Sequence, residues 1–384
     1  MSIKAYKGFN KDMTCRGFQY EEGKEYETDK VEVCETGFHA CEYPLDCFSY
    51  YSPNVSVYHE VEQDGEISRS DGDSKVASSK IKIGASINIA GIVKAAIEYT
   101  TKRTNKENDA TGDYGASSAT GNYGASSATG DYGASSATGN YGASSATGDY
   151  GASSATGNYG ASSATGYKGA SSATGNYGAS SATGYCSVSS ATGNYGASSA
   201  TGYKGASSAT GDKGASSATG DYGASSATGD YGASSATGNY GASSATGYKG
   251  ASSATGNYGA SSATGYKGAS SATGNYGASS ATGDYGASSA TGYCSVSSAT
   301  GYCSVSSAEC ENSIAVAWGY HGKTKGVIGS YLVLADWEGD ENNYWTPELW
   351  SLKGAKMVRV DGKIIKENTF YTMVNGEIEE VEDE

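Results

Sequence analysis

Proline is nearly missing from this chain, three residues in 384, against 57 Gly and 33 Tyr. Gly, Ser and Ala at high density ordinarily mark disorder, but the scarcity of Pro argues for a folded repeat instead. Long apolar runs are missing as well. None approaches the ~20 residues of a membrane-spanning helix, and residues 1–10 hold no apolar leader core. A reduced cytoplasmic setting is therefore expected, with the eight cysteines free. Clustered positive charge is the third absence. The net charge is −15, of which the segment before residue 112 carries −5, residues 112–309 carry −3 and the remainder −7. Binding to phosphate backbones needs grouped Lys and Arg, so neither a nucleic-acid nor a membrane partner is expected. The chain also lacks a P-loop, a GxGxxG fingerprint, an HExxH motif and a GxSxG elbow.

What the chain has instead is a nine-residue unit, repeated twenty-two times without a gap from Gly112 to Glu309. Its commonest form is Gly-Asn-Tyr-Gly-Ala-Ser-Ser-Ala-Thr, as at 121–129. An unbroken register of this kind is the signature of a solenoid. With the unit numbered 1 to 9, position 1 is Gly from Gly112 to Gly301, position 2 is Asn, Asp or Tyr, and position 3 is Tyr, Lys or Cys. Positions 9, 1 and 2 read as a corner, because Gly and Asn tolerate positive φ. Positions 4–8 read as a short extended segment. Nine residues are too few for a full coil, but two units give a coil of two strands and two corners. The expected fold is all-β: a parallel β-solenoid with eighteen residues per coil over 106–318, roughly eleven coils and ~50 Å long at the sheet spacing. A small α+β domain over 1–105 and a β-rich segment with an acidic tail over 319–384 are expected to cap its two ends, which would otherwise expose sheet edges to end-to-end self-association.

If each unit stacks on the next but one, one edge presents Asp113, Asp131 and Asp149, and the other presents Asn122, Asn140 and Asn158. Stacked Asn amides bond along such a row. Stacked Asp side chains repel unless solvated or bridged by a cation, which makes these three the only metal candidates; duplication of a two-unit segment accounts for the pattern equally well. Positions 4, 6 and 8, all Gly, Ser or Ala, are read as the inner set of a thin core. The hydroxyls at position 6, such as Ser126 and Ser153, are expected to bond neighbouring backbone groups. Tyr at position 3 should recur along each edge at ~5 Å, within reach of ring stacking. Such rows protect corners, and they also offer a partner an aromatic strip. Tyr114, Tyr123, Tyr132 and Tyr141, with the three Asn residues and the interrupting Lys168, Lys204, Lys249 and Lys267, are the candidate binding surface.

Outside the repeat, strands are expected at Ile3–Tyr6, Val55–Val61 and Lys80–Ile89, with a short helix near Pro44. A second helix is expected over Gly91–Tyr99, with Ile92, Ala95, Ala96 and Tyr99 on one face. Beyond the repeat, larger apolar residues continue the register through Asn312–Trp318. Asp361-Gly362 and Asn375-Gly376 both carry hairpin signals. Trp337, Trp345 and Trp350 are read as anchors of the C-terminal segment.

The runs Lys4-Ala5-Tyr6-Lys7-Gly8-Phe9-Asn10, Cys15-Arg16-Gly17-Phe18-Gln19-Tyr20 and Gly37-Phe38-His39-Ala40-Cys41-Glu42-Tyr43-Pro44-Leu45-Asp46 resemble an uncharacterised N-terminal domain of phage and prophage proteins. Members of that group often continue into small-residue repeats and close with a segment similar to 312–319. The resemblance implies a phage or prophage origin, and a cytoplasmic or virion-associated setting, but no activity. The repeats also resemble, remotely, those of trimeric adhesin heads.

The function expected from all this is a noncatalytic structural or protein-binding rod, without cofactor, whose partner is a host or phage protein. Two alternatives come from other classes. Tyr6-Lys7-Gly8, Arg16-Gly17-Phe18 and Gly37-Phe38-His39 are similar to landmarks of ADP-ribosyltransferase-like folds, which would imply NAD-contacting roles for Arg16 and His39 and a charge-stabilising role for Glu60 or Glu62. His39 beside Cys34 and Cys41 would also be placed to assist a thiolate. Flat outer rows of Ser and Thr at positions 7 and 9 would suit an ice-binding solenoid.

Overall fold

The computed structural model describes residues 2–70, 73–103, 107–339 and 349–382. The chain is a parallel β-solenoid of about twelve coils, with strands eighteen residues apart in register, a small N-terminal domain and a β-rich C-terminal segment. It divides into two compact units, Met1–Ala200 with Ser207–Ala215, and Thr201–Ala206 with Ser216–Glu384.

The first unit opens with β1 (Ile3–Asn10), the short strands β2 (Thr14–Cys15), β3 (Phe18–Gln19) and β4 (Glu25–Glu27), and β5 (Phe38–Cys41). A 3₁₀ turn at Pro44–Asp46 runs into α1 (Cys47–Tyr50), where Pro was expected to start a helix. Then come β6 (Ser56–Arg69), β7 (Lys75–Ile87) and α2 (Ile89–Arg103). β1 pairs with β5 and β6, and β7 pairs with β5 and β6 in turn, so these four antiparallel strands close into a ring. Closure leaves β1 without a solvent face, and Ala5 through Phe9 are all buried. Ala5 and Phe9 point into one apolar cluster with Tyr20, Phe38, Val61, Ile81 and Ile83. Tyr6 points into another with Tyr43, Leu45, Phe48, Ile92, Val93 and Ala96.

That second cluster corrects an expectation. Among the described residues the N-terminal domain packs on the side of the solenoid and not over its end. Helix α2 lies along its flank, and the cluster takes in Ala161, Ala179 and Ala197, the position 5 residues of successive coils of one sheet. Tyr43 completes the contact, donating its hydroxyl to the Tyr159 carbonyl at 2.8 Å. The consequence shows in one residue type. Ala143, Ala161 and Ala179 are sealed under the domain, whereas Ala134, Ala152 and Ala170, at the same position of the opposite sheet, are exposed.

Within the repeat each strand occupies positions 5–9, as in Ala134–Thr138, and pairs in parallel with Ala152–Thr156. The turn spans positions 1–4 instead of 9, 1 and 2: Gly151 N–H donates to Gly148 C=O at 3.2 Å. The ladder continues round the corner, with Tyr150 N–H on Asp131 C=O at 2.7 Å and Ala152 N–H on Gly133 C=O at 2.9 Å. Positions 4, 6 and 8 face inward, as expected: Gly151, Ser153 and Ala155 are buried.

The buried hydroxyls mostly find a different partner from the one expected, although Ser135 Oγ does reach the Ser126 carbonyl at 2.9 Å. The core is so thin that position 6 of one sheet meets position 6 of the other. Each Oγ donates to the Oγ nine residues earlier, in an unbroken line from Ser207 back to Ser117, with separations of 2.9–3.0 Å. The same bonds run from Ser306 to Ser216 in the other unit. Ser162→Ala should therefore strip Ser171 of its acceptor and Ser153 of its donor, a loss of about 1–3 kcal/mol. Ser136→Ala, at an exposed position 7, should stay within about 0.5 kcal/mol. Amide hydrogen exchange of the affected coils reads the difference.

In the second unit the parallel register continues past residue 318: Lys323–Gly326 stacks on Val305–Ala308, and Tyr331–Leu334 on Ile314–Ala317. The closing strands are antiparallel. Ser351–Arg359 pairs with Tyr331–Glu338, and Phe370–Val374 forms the expected hairpin with Glu377–Val381 through Asn375 and Gly376, both at positive φ. Asp361-Gly362 does not turn the chain back along the strand before it, which pairs with Tyr331–Glu338 at the edge of its sheet. Asp361 Oδ1 accepts instead from the amides of Lys363, Ile364 and Ile365, closing a compact loop. Trp337 packs edge-on against Trp318 and Trp350, while Trp345 lies outside the described residues.

Candidate functional site

Two features carry chemistry. The first is the set of tyrosine edges. In the first unit Tyr114, Tyr132 and Tyr150 stack with ring centroids 4.8–4.9 Å apart and planes within 5°, and Lys168 Nζ lies 5.2 Å from the Tyr150 ring, a cation–π contact that ends the stack. The opposite edge runs through Tyr123, Tyr141, Tyr159, Tyr177 and Tyr195 at 4.8–5.0 Å. Tyr141 is not an open surface residue, since Tyr43 packs edge-on against it at 5.1 Å. In the second unit Tyr222, Tyr240, Tyr258 and Tyr276 stack at 5.0–5.3 Å, each about half exposed. Lys249 and Lys267 lie over tyrosine rings there, and Lys204 is exposed.

Asn122, Asn140, Asn158, Asp113, Asp131 and Asp149 are all exposed at corners, where the Asn122 and Asp113 carbonyls receive the next coil's Tyr amides. Among the described residues no three His, Cys, Asp or Glu side chains come close enough to hold a metal ion, so the Asp row forms no ligand set.

The second feature is a pocket of about 590 Å³ in the N-terminal domain. All three of its sequence landmarks line it: Tyr6-Lys7-Gly8 from β1, Arg16 and Phe18 from the β2–β3 hairpin, and Gly37-Phe38-His39 at the start of β5. Gly8 is required by close approach, for a Cβ there would sit 2.5 Å from the Tyr51 Cβ. Arg16 and His39 thus share one pocket. Glu60 and Glu62 do not line it: Glu60 pairs with Lys4 at 2.8 Å, and Glu62 is exposed on β6.

His39 is not placed as a free base for a thiol. Its Nε2 accepts the Cys34 backbone N–H at 3.0 Å. Burial, reinforced by the charges of Lys7, Arg16 and Lys75, holds its pKa below the ordinary histidine value. Cys41 is buried, and its thiol is pushed well up by a contact with Cys47 and by burial. At the pocket wall, burial and a hydrogen bond to Asp73 push the Tyr50 hydroxyl up to about 12.

The residue that sequence reasoning missed is Lys7. It shares a strand face with Ala5 and Phe9 and is only 5 % exposed. Its ammonium donates to the His39 carbonyl at 2.7 Å and reaches Cys15 Sγ at 3.5 Å, beside the Phe9 and Tyr20 rings. Alternation alone gives no sign that β1 is covered on both sides, so nothing in the sequence marked this lysine as buried.

Residues 3–95 match a family model described as a domain of unknown function (DUF7666). No curated protein and no solved structure gives a significant match to the chain.

Proposed function

We propose that this chain is a noncatalytic structural and protein-binding solenoid of phage or prophage origin, acting in the host cytoplasm or on the virion, whose open tyrosine edges receive a host or phage protein. The supporting observation is internal. In the first unit one edge already receives protein: Tyr43 inserts against the Tyr141 and Tyr159 rings and bonds the Tyr159 carbonyl. In the second unit the Tyr222–Tyr276 row has the same spacing and remains half exposed. Half-exposed, pre-ordered aromatic side chains are well suited as binding anchors, since little side-chain entropy is left to lose.

The test is a comparison of the native chain with one carrying Tyr222→Ser, Tyr240→Ser and Tyr258→Ser in affinity capture from host and infected cells. The expected result is at least a roughly tenfold loss of the co-purifying partner, in line with removal of central aromatic anchors. Undiminished capture by the triple variant would reject the edge as the binding surface and leave the solenoid as a spacer.

A further inference from the structure

The N-terminal pocket is positively charged in a segment whose net charge is negative. Lys7, Arg16 and Lys75 line it, against the single carboxylate of Glu35. Beside the effect of burial, all three hold the His39 pKa below its ordinary value. Among the described residues none of the three forms an ion pair. For Arg16 and Lys75, which have solvent nearby, this is unremarkable. For Lys7 it is not, because an ammonium withdrawn from water is costly unless a counter-charge meets it. Its partners are a neutral carbonyl, a thiol and two ring faces.

The remaining wall is aromatic. Phe18 belongs to a cluster of edge-to-face rings with Tyr20 and Tyr26 at 4.8 and 5.4 Å, yet it stays 47 % exposed beside the pocket. A volume of about 590 Å³ lies in the range of small-molecule sites. We infer that this pocket binds a small organic anion, a phosphate or carboxylate on a planar ring, with the anionic group between Lys7 and Arg16 and the ring against Phe18. Arg16 supplies the planar fork suited to such groups, and Lys7 the buried point charge. This inference is independent of the tyrosine edges, which lie on the solenoid.

The experiment is calorimetric titration of the full chain with phenyl phosphate, inorganic phosphate and phenol. Phenyl phosphate should saturate with a dissociation constant on the order of millimolar or tighter, and each fragment alone should bind about tenfold more weakly or worse. Arg16→Gln, at an exposed hairpin position, should keep the fold and lose about tenfold in affinity. Lys7→Met, which keeps the apolar stem, should lose at least as much, with circular dichroism confirming that it folds. Absence of saturable phenyl phosphate binding, or unchanged affinity in Arg16→Gln, overturns the inference. So does binding of phenol as tight as that of phenyl phosphate.

Discussion

Gly148→Ala is expected to destabilise the repeat by about 4 kcal/mol or more, an effect reserved for substitutions with a severe steric or polar fault. From Gly130 on, position 1 glycines such as Gly130, Gly139 and Gly148 lie directly on the carbonyl of their counterpart one coil earlier. A Cβ on Gly148 would stand 1.7 Å from Gly130 O and 2.6 Å from Gly130 C. That carbonyl accepts the Gly133 N–H at 3.0 Å, and moving it breaks the bond that closes the corner. Backbone conformation adds a smaller penalty, since φ at Gly148 is +152°. The two contributions separate at Gly112, where φ is +127° but nothing lies within 4 Å of an added Cβ. Gly112→Ala should therefore cost only about 1 kcal/mol. Because repeat arrays need not unfold in one step, hydrogen exchange coil by coil is the measurement to use, alongside urea unfolding. A Gly148→Ala chain that is as stable as the Gly112→Ala chain would contradict the stacking described here.

The second large effect concerns two alanines that the sequence presents as equivalent. Ala161→Glu should cost about 3–5 kcal/mol, the range for an uncompensated buried charge, and should release α2 from the flank. Ala161 is fully buried against the cluster of Tyr43, Ile92, Val93 and Ala96. Ala170→Glu, one unit later, should change stability by no more than about 0.5 kcal/mol, because that residue faces solvent from the opposite sheet. Rapid exchange of the α2 amides in Ala161→Glu, and native-like protection in Ala170→Glu, is the expected pair of results. Equal behaviour of the two would place the domain elsewhere.

These two predictions mark what the sequence discloses. The eighteen-residue coil and the inward parity follow from local chemistry: Gly, Ser and Ala at positions 4, 6 and 8 are the only side chains that fit a thin core. Where α2 docks is illegible, since the units that receive it read Ala-Ser-Ser-Ala-Thr like the units that do not. The hydroxyl pairing was half legible. Burial of Ser126 and Ser153 follows from parity, but their partner depends on how closely the two sheets approach, which no single unit encodes. Asp361-Gly362 misled because the Asp361 carboxylate gathers the amides of Lys363, Ile364 and Ile365 into a loop where a returning strand would start. In the pocket, the motifs Tyr6-Lys7-Gly8, Arg16-Gly17-Phe18 and Gly37-Phe38-His39 do converge, while Glu62 does not join them; closure of the four-stranded ring decides which side of β6 looks inward.

The serine lines have a further property. A hydroxyl owns one proton, so a row in which every oxygen both gives and receives must point one way from end to end. The opposite polarity satisfies the same oxygens equally well, and a single residue cannot turn over without leaving two neighbours facing each other. Such a row is thus a two-state filament whose switching is collective.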